Sequence, residues 1–138
     1  MATMNFTRAE DQLAAEQGQV GGAPVDPSPL VGTWFNTDKQ THGIVRLVLT
    51  QHDGALKVRA FGACAPTPCD WGEVQGVAFS SGVSSPEGMA FTALFDFGFM
   101  ETLLAVYLKG GILVLDSFNT FRDTSGRANY FSREFFHS

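Results

Sequence analysis

From Leu30 onward, apolar residues recur at every second position in short runs separated by turn residues. The most apolar stretch, Phe91 to Leu108 (FTALFDFGFMETLLAVYL), sets the pattern. Phe91, Ala93, Phe95, Phe97 and Phe99 share one parity, and Thr92, Leu94, Asp96 and Gly98 the other. A two-residue period belongs to a half-buried strand, whose successive side chains point to opposite faces of a sheet. Gly98 interrupts the run, after which Thr102, Leu104, Val106 and Leu108 alternate with Leu103, Ala105 and Tyr107. The stretch reads as two antiparallel strands with a tight reversal between Gly98 and Glu101. One long helix fits worse, because aromatic and β-branched residues are frequent and the 3.6-residue period is poor.

The same reading extends along the chain. Leu30 to Asn36 and Gly43 to Gln51 form the first two strands, joined by the turn NTDKQTHG. His52-Asp53-Gly54 supplies a hairpin turn, since Asp-Gly accepts positive φ, and Ala55 to Ala63 follows as the third strand. After the loop CAPTPCD, Trp71 to Ser80 is a fourth, and the loop SGVSSPEG leads to Phe91 to Phe97 and Thr102 to Leu108. Gly110-Gly111 opens a hairpin into Ile112 to Phe121, and RDTSGRA turns into Asn129 to Phe136.

Eight strands joined by short connections, with no convincing helix between them, make an antiparallel meander. A meander leaves two bare edges unless the sheet curls until its ends meet. The expected fold is all-β, an eight-stranded antiparallel up-and-down barrel spanning residues 30–138, with a sandwich as the rival. Such a barrel holds packed side chains or one small ligand. Two strands are apolar on both faces: Val45, Leu47 and Leu49 opposite Ile44 and Val48, and Leu113 and Leu115 opposite Ile112, Val114 and Phe118. A covered outer wall follows, most economically a homo-oligomer contact.

Residues 1–29 read as an N-terminal tail. Thr7 is a candidate cap for a short helix over Arg8 to Gln17, and GQVGGAPVDPSP is a linker by composition. A frayed terminus and a lid over the barrel are the two uses weighed for it, the former being the usual state of a chain end. MATMNFTRAEDQLAAEQG has no apolar core and no small-residue cleavage site, so secretion by that route is not expected. A cytoplasmic location is the default, and there Cys64 and Cys69 are expected as thiols.

Composition sharpens the picture. Thirteen Phe against two Tyr and two Trp imply a wide apolar interior or an apolar contact surface. A net charge of −5 with no basic stripe argues against a nucleic-acid partner. No apolar run reaches membrane-span length, because Asp96, Glu101 and Lys109 interrupt the longest, so no membrane partner is expected either.

GTW at Gly32 to Trp34 resembles the opening of lipocalin and avidin barrels, the calycin type. With GIVRL, GACAPTPCDWG and TFRDTSGRANYFSREFF, the region from Leu30 to His137 is similar to a small bacterial domain built on a Cys-x-Pro-x-x-Cys-Asp-Trp-Gly loop. The resemblance implies a barrel and carries no activity with it. His often follows the first cysteine of that loop; Ala65 stands there, so a metal or acid/base role for that position is lost.

Two cysteines with His42, His52 and His137 at no recognisable spacing do not make a zinc site, and no catalytic or cofactor signature is present, so no metal or cofactor is expected. Two prolines stiffen the Cys64–Cys69 loop, which reads as a clamp. Asp70 is expected to accept amide hydrogen bonds within its turn. Trp34 and Trp71 serve either the core or a ligand. Asp96, Glu101, Asp116 and Glu134 sit in or beside apolar strands, and one facing the lumen would be a proton donor or base. The leading function is binding of an apolar or aromatic small molecule, with Trp34, Arg46, Trp71, Phe91, Phe95, Tyr107, Phe121 and Tyr130 as ligand contacts. Two alternatives stand beside it. One is a cyclase or isomerase folding an apolar substrate in the same cavity, with Glu134 and Glu101 as its acids. The other is a self-associating module with a filled core.

Overall fold

A computed structural model of the chain describes residues 24–138. The candidate helix at Arg8 to Gln17 and most of the tail lie outside the described residues. Nine strands form one antiparallel sheet: β1 (Gly32–Asn36), β2 (Ile44–His52), β3 (Ala55–Gly62), β4 (Cys69–Gln75), β5 (Val77–Ser80), β6 (Gly88–Asp96), β7 (Met100–Lys109), β8 (Ile112–Phe121) and β9 (Tyr130–His137). Their order is β4-β3-β2-β1-β9-β8-β7-β6-β5. No α-helix occurs among the described residues; the 3-10 turn Ser28–Leu30 precedes β1.

The count is nine, where eight strands are expected, because the fourth breaks at Gly76. Before the break Val58 pairs with Val74 and Lys57 with Gln75; after it Val77 pairs with Thr92. The chain thus changes partner from β3 to β6 within one residue. A Cβ at Gly76 would lie 2.9 Å from Val58 Cγ2, 3.0 Å from Leu56 Cδ2 and 3.3 Å from the Thr92 carbonyl oxygen. Only glycine lets three strands converge this closely. Since β4 and β5 are the two ends of the sheet order and adjoin in the chain, the sheet curls into a nearly closed barrel.

Alternation along the strands sets the inner wall. Phe91, Ala93 and Phe95 of β6, Leu104 and Val106 of β7, Leu113 and Leu115 of β8, and Leu56, Val58 and Ala60 of β3 are all buried. In β2 the strict period fails. A bulge between Ile44 and Arg46 puts Ile44 inward with Leu47 and Leu49, leaving Val45 only half-buried.

In a meander, alternate connections lie at the same end. The lower end carries the Asp53-Gly54 and Gly110-Gly111 hairpins and is covered by the segment before β1. There Trp34 Nε1 donates to the Leu30 carbonyl at 3.0 Å, and both residues are buried. Asp26 bridges Glu87 in parallel, its amide donates to the Pro86 carbonyl at 2.7 Å, and its carbonyl accepts from the Gly88 amide at 2.8 Å. Residues 26–29, read from composition as linker, are therefore tied to β6.

The upper end carries the β1–β2, β3–β4, β6–β7 and β8–β9 connections. In the β3–β4 loop, Cys64 and Cys69 have Cα atoms 5.5 Å apart and sulfurs at disulfide-bonding distance. The expectation of thiols is corrected: Gly62 pairs with Cys69, so the proline-stiffened loop doubles back directly beside its own start. Among the described residues no helix is long and apolar enough to cross a membrane.

Candidate functional site

The lower half of the barrel is filled by Phe91, Phe136, Leu30, Leu47, Leu49 and Leu113, all essentially inaccessible. Above them the inner residues change character. On β8 the inward series Leu113, Leu115 continues as Ser117 and Asn119; on β7 it begins with Thr102; on β9 it is Tyr130, Ser132, Glu134. A cavity of about 830 Å³ opens here. That is ample for one small organic molecule.

One wall is aromatic. Trp71 at the start of β4 meets Phe97 edge-on at 5.1 Å and Phe95 edge-on at 5.6 Å, a favoured geometry for aromatic pairs. Phe97, Phe99 and Met100 close the rim on the β6–β7 side. The opposite wall is polar and hydrogen-bonded within itself. Thr102 Oγ1 donates to Asn119 Oδ1 at 2.8 Å, and Asn119 Nδ2 donates to Ser117 Oγ at 3.2 Å and to the Tyr130 carbonyl at 3.4 Å. Ser117 Oγ and Ser132 Oγ are 2.6 Å apart. Thr102, Ser117 and Asn119 are buried, so these mutual bonds offset the cost of removing them from water.

Glu134 is the one carboxylate among the described residues that line the cavity. Thr41 Oγ1 donates to its Oε2, and the Gly43 amide donates to Thr41 Oγ1 at 3.0 Å. A Cβ at Gly43 would lie 2.7 Å from Glu134 Oε1, so a larger residue there would push the carboxylate aside. Glu134 therefore latches the β1–β2 loop at the cavity edge.

The expected site residues separate into four groups. Trp71, Tyr130 and Glu134 meet at the cavity, with Phe95 directly beneath Trp71. Phe121 ends the inward series of β8, with the Arg127 guanidinium 4.3 Å above its ring. Trp34 and Phe91 belong to the filled lower half. Arg46, Tyr107 and Glu101 lie on the outer wall: Arg46 stacks on Phe61 at 4.1 Å, Tyr107 is 39% exposed, and Glu101 accepts from Arg122 at 2.7 Å.

The other acids also face outward. The Gly98 amide, and after it the Arg122 guanidinium, hold the Asp96 carboxyl below the usual carboxylate range. Hydrogen bonding from Arg133 does the same for Asp116. Asp70 accepts from the Gly72 amide at 2.8 Å and from Arg59 at 2.6 Å, the turn role expected of it. Thr102, Ser117, Asn119 and Ser132 were not among the expected contacts. Their signal was a polar residue on the buried parity of an apolar strand. Among the described residues no group of three or more His, Cys, Asp or Glu is placed to hold a metal ion.

No family model matches the chain, and neither does any curated protein or solved structure.

Proposed function

We propose that the protein binds a small molecule with an apolar or aromatic body in the upper half of the barrel. The observation that carries this reading is the cavity of about 830 Å³ between Trp71 and Phe97 on one side and the Thr102–Asn119–Ser117–Ser132 chain on the other. Apolar walls with a few convergent polar groups are the usual make-up of a ligand pocket. An enzymatic version, cyclising or isomerising an apolar substrate, would rest on Glu134, since Glu101 is outside and paired.

A second reading concerns the outer wall and a second copy of this chain. Leu94, Leu103, Phe118 and Phe131 stand in register across β6 to β9, each 39–51% exposed. Tyr107 and Phe135, 39% and 46% exposed, flank the buried Val114 in a second row in register. Between the rows Arg133 grips Asp116 through two hydrogen bonds of 2.6 and 2.9 Å. A patch with both charges at its centre is self-complementary, because a two-fold axis sets each Arg133 against the other copy's Asp116.

Native mass spectrometry of the purified protein tests both readings. The expected spectrum contains a dimer, and each chain carries a small-molecule adduct that is lost on Trp71→Ala. Ligand-free chains that take up no aromatic probe would remove the first reading, and a monomer at micromolar concentration would remove the second.

A further inference from the structure

Hydrogen positions along the polar wall follow from its acceptors, and they define what a ligand must present. The Tyr130 carbonyl can only accept, so the Asn119 amide nitrogen must face it, and Oδ1 faces Thr102. The same nitrogen donates to Ser117 Oγ. If Ser132 also donated to Ser117, the buried Ser117 hydroxyl hydrogen would have no acceptor, because among the described residues its side-chain bonds are to Asn119 and Ser132. A hydrogen left unpaired at a buried site is costly. Ser117 therefore donates to Ser132, and the Ser132 hydroxyl hydrogen, on a half-buried residue that lines the cavity, is left over.

Two residues further along the same face of β9 the polarity reverses. Glu134 lines the cavity; its Oε2 is occupied by Thr41, while Oε1 accepts no hydrogen bond from the described residues. One strand thus offers the cavity a donor and, about 7 Å along by strand rise, an acceptor.

We infer that the ligand is a neutral aromatic or alicyclic ring system carrying both a hydrogen-bond acceptor, taken by Ser132, and an N–H or O–H donor, taken by Glu134. An amide, lactam or hydroxy-ketone edge has this pattern. Its ring faces Trp71 and Phe97. A carboxylate in the same place meets Glu134 and is refused. The inference rests on the proposed binding function and narrows it to one chemical class.

Equilibrium dialysis of the whole chain with three probes tests it: naphthalene-2-carboxamide, 2-methylnaphthalene and 2-naphthoate. The amide is expected to bind about tenfold more tightly than the hydrocarbon, the effect of one or two net hydrogen bonds. The naphthoate is expected to bind least. Ser132→Ala should remove the amide's advantage over the hydrocarbon, and retained binding of the hydrocarbon shows that the variant is folded. Glu134→Gln should admit the naphthoate. Equal binding of amide and hydrocarbon, or equal weakening of both by Ser132→Ala, overturns the inference while leaving a binding barrel. Retention of none of the three probes overturns the binding function and the inference with it.

Discussion

The two ends of the barrel share their strands and differ in what those strands turn inward. At the lower end the inward residues are Leu, Phe and Trp, and the segment from Asp26 to Leu30 lies across the opening with Leu30 fully buried. At the upper end the same parity yields Thr102, Ser117, Asn119, Ser132 and Glu134, and the core stops short of the rim. On β8 alone, Leu113 and Leu115 give way to Ser117 and Asn119 within four positions. The packed core is concentrated below, and the proposed recognition lies above. The barrel can therefore keep an unfilled cavity without losing its fold.

The largest expected effect breaks the lower end. Phe136 is completely buried and sits where β9 meets both β1 and β8. Phe136→Ala is expected to cost about 3–5 kcal/mol, the usual range for a buried aromatic replaced by alanine. For a domain with about 5–15 kcal/mol in total, that is a large part of its stability. Phe97→Ala at the upper rim, where the ring is only half-buried, should cost well under half as much and weaken probe binding instead. Urea denaturation of both variants, beside probe affinity, checks the division. Similar losses in both assays would show that the ends are not separate in function.

How much of this division could be read beforehand depends on the range of the cause. Strand parity is local, so the inward sets of β6 and β7 were legible from Phe91, Ala93 and Phe95 and from Thr102, Leu104 and Val106. The Asp-Gly and Gly-Gly hairpins were legible for the same reason. Gly76 was not, because its need is set by Leu56, Val58 and Thr92, all distant in sequence. The β2 bulge likewise reverses the facing of Ile44 through pairing with β3. Among the acids, only knowledge of the closed wall separates Glu134, facing in, from Glu101, facing out. Ser117 and Asn119 were readable in principle, as polar residues continuing a buried parity. They are small and uncharged, and the apolar Leu113 and Leu115 dominate the parity they continue.

An intermediate effect sharpens the upper end. The Cys64–Cys69 link closes a loop of sequence separation 5 just before Trp71, and Cys69 itself lines the cavity. On chain-entropy grounds so short a loop contributes about 2 kcal/mol. The double variant Cys64→Ser, Cys69→Ser should lose about that much in urea denaturation. It should also weaken probe binding several-fold, because Trp71 loses its anchored neighbour. A thiol assay of the denatured wild-type chain should find no free thiol until reductant is added. Two titratable thiols in the oxidised protein would contradict this.

The smallest expected effect lies on the outer wall and serves as a control on both ends. Arg133 lowers the pKa of Asp116 chiefly through its hydrogen bonds, with its charge adding to them. A carboxyl whose folded pKa lies below its unfolded value of about 3.9 stabilises the fold above that value and loses the contribution as pH falls through the folded pKa. Wild type should therefore be slightly more stable than Asp116→Asn near pH 6, and the gap should close as the solution is acidified below about pH 4. Arg133 is half exposed, so salt should shrink the gap as well. Because Asp116 faces away from the lumen, probe affinity at pH 6 should be the same in both proteins. A variant that binds more weakly there would mean that the outer ion pair positions Ser132 and Glu134 through β9, and the two faces of that strand would have to be treated as one device.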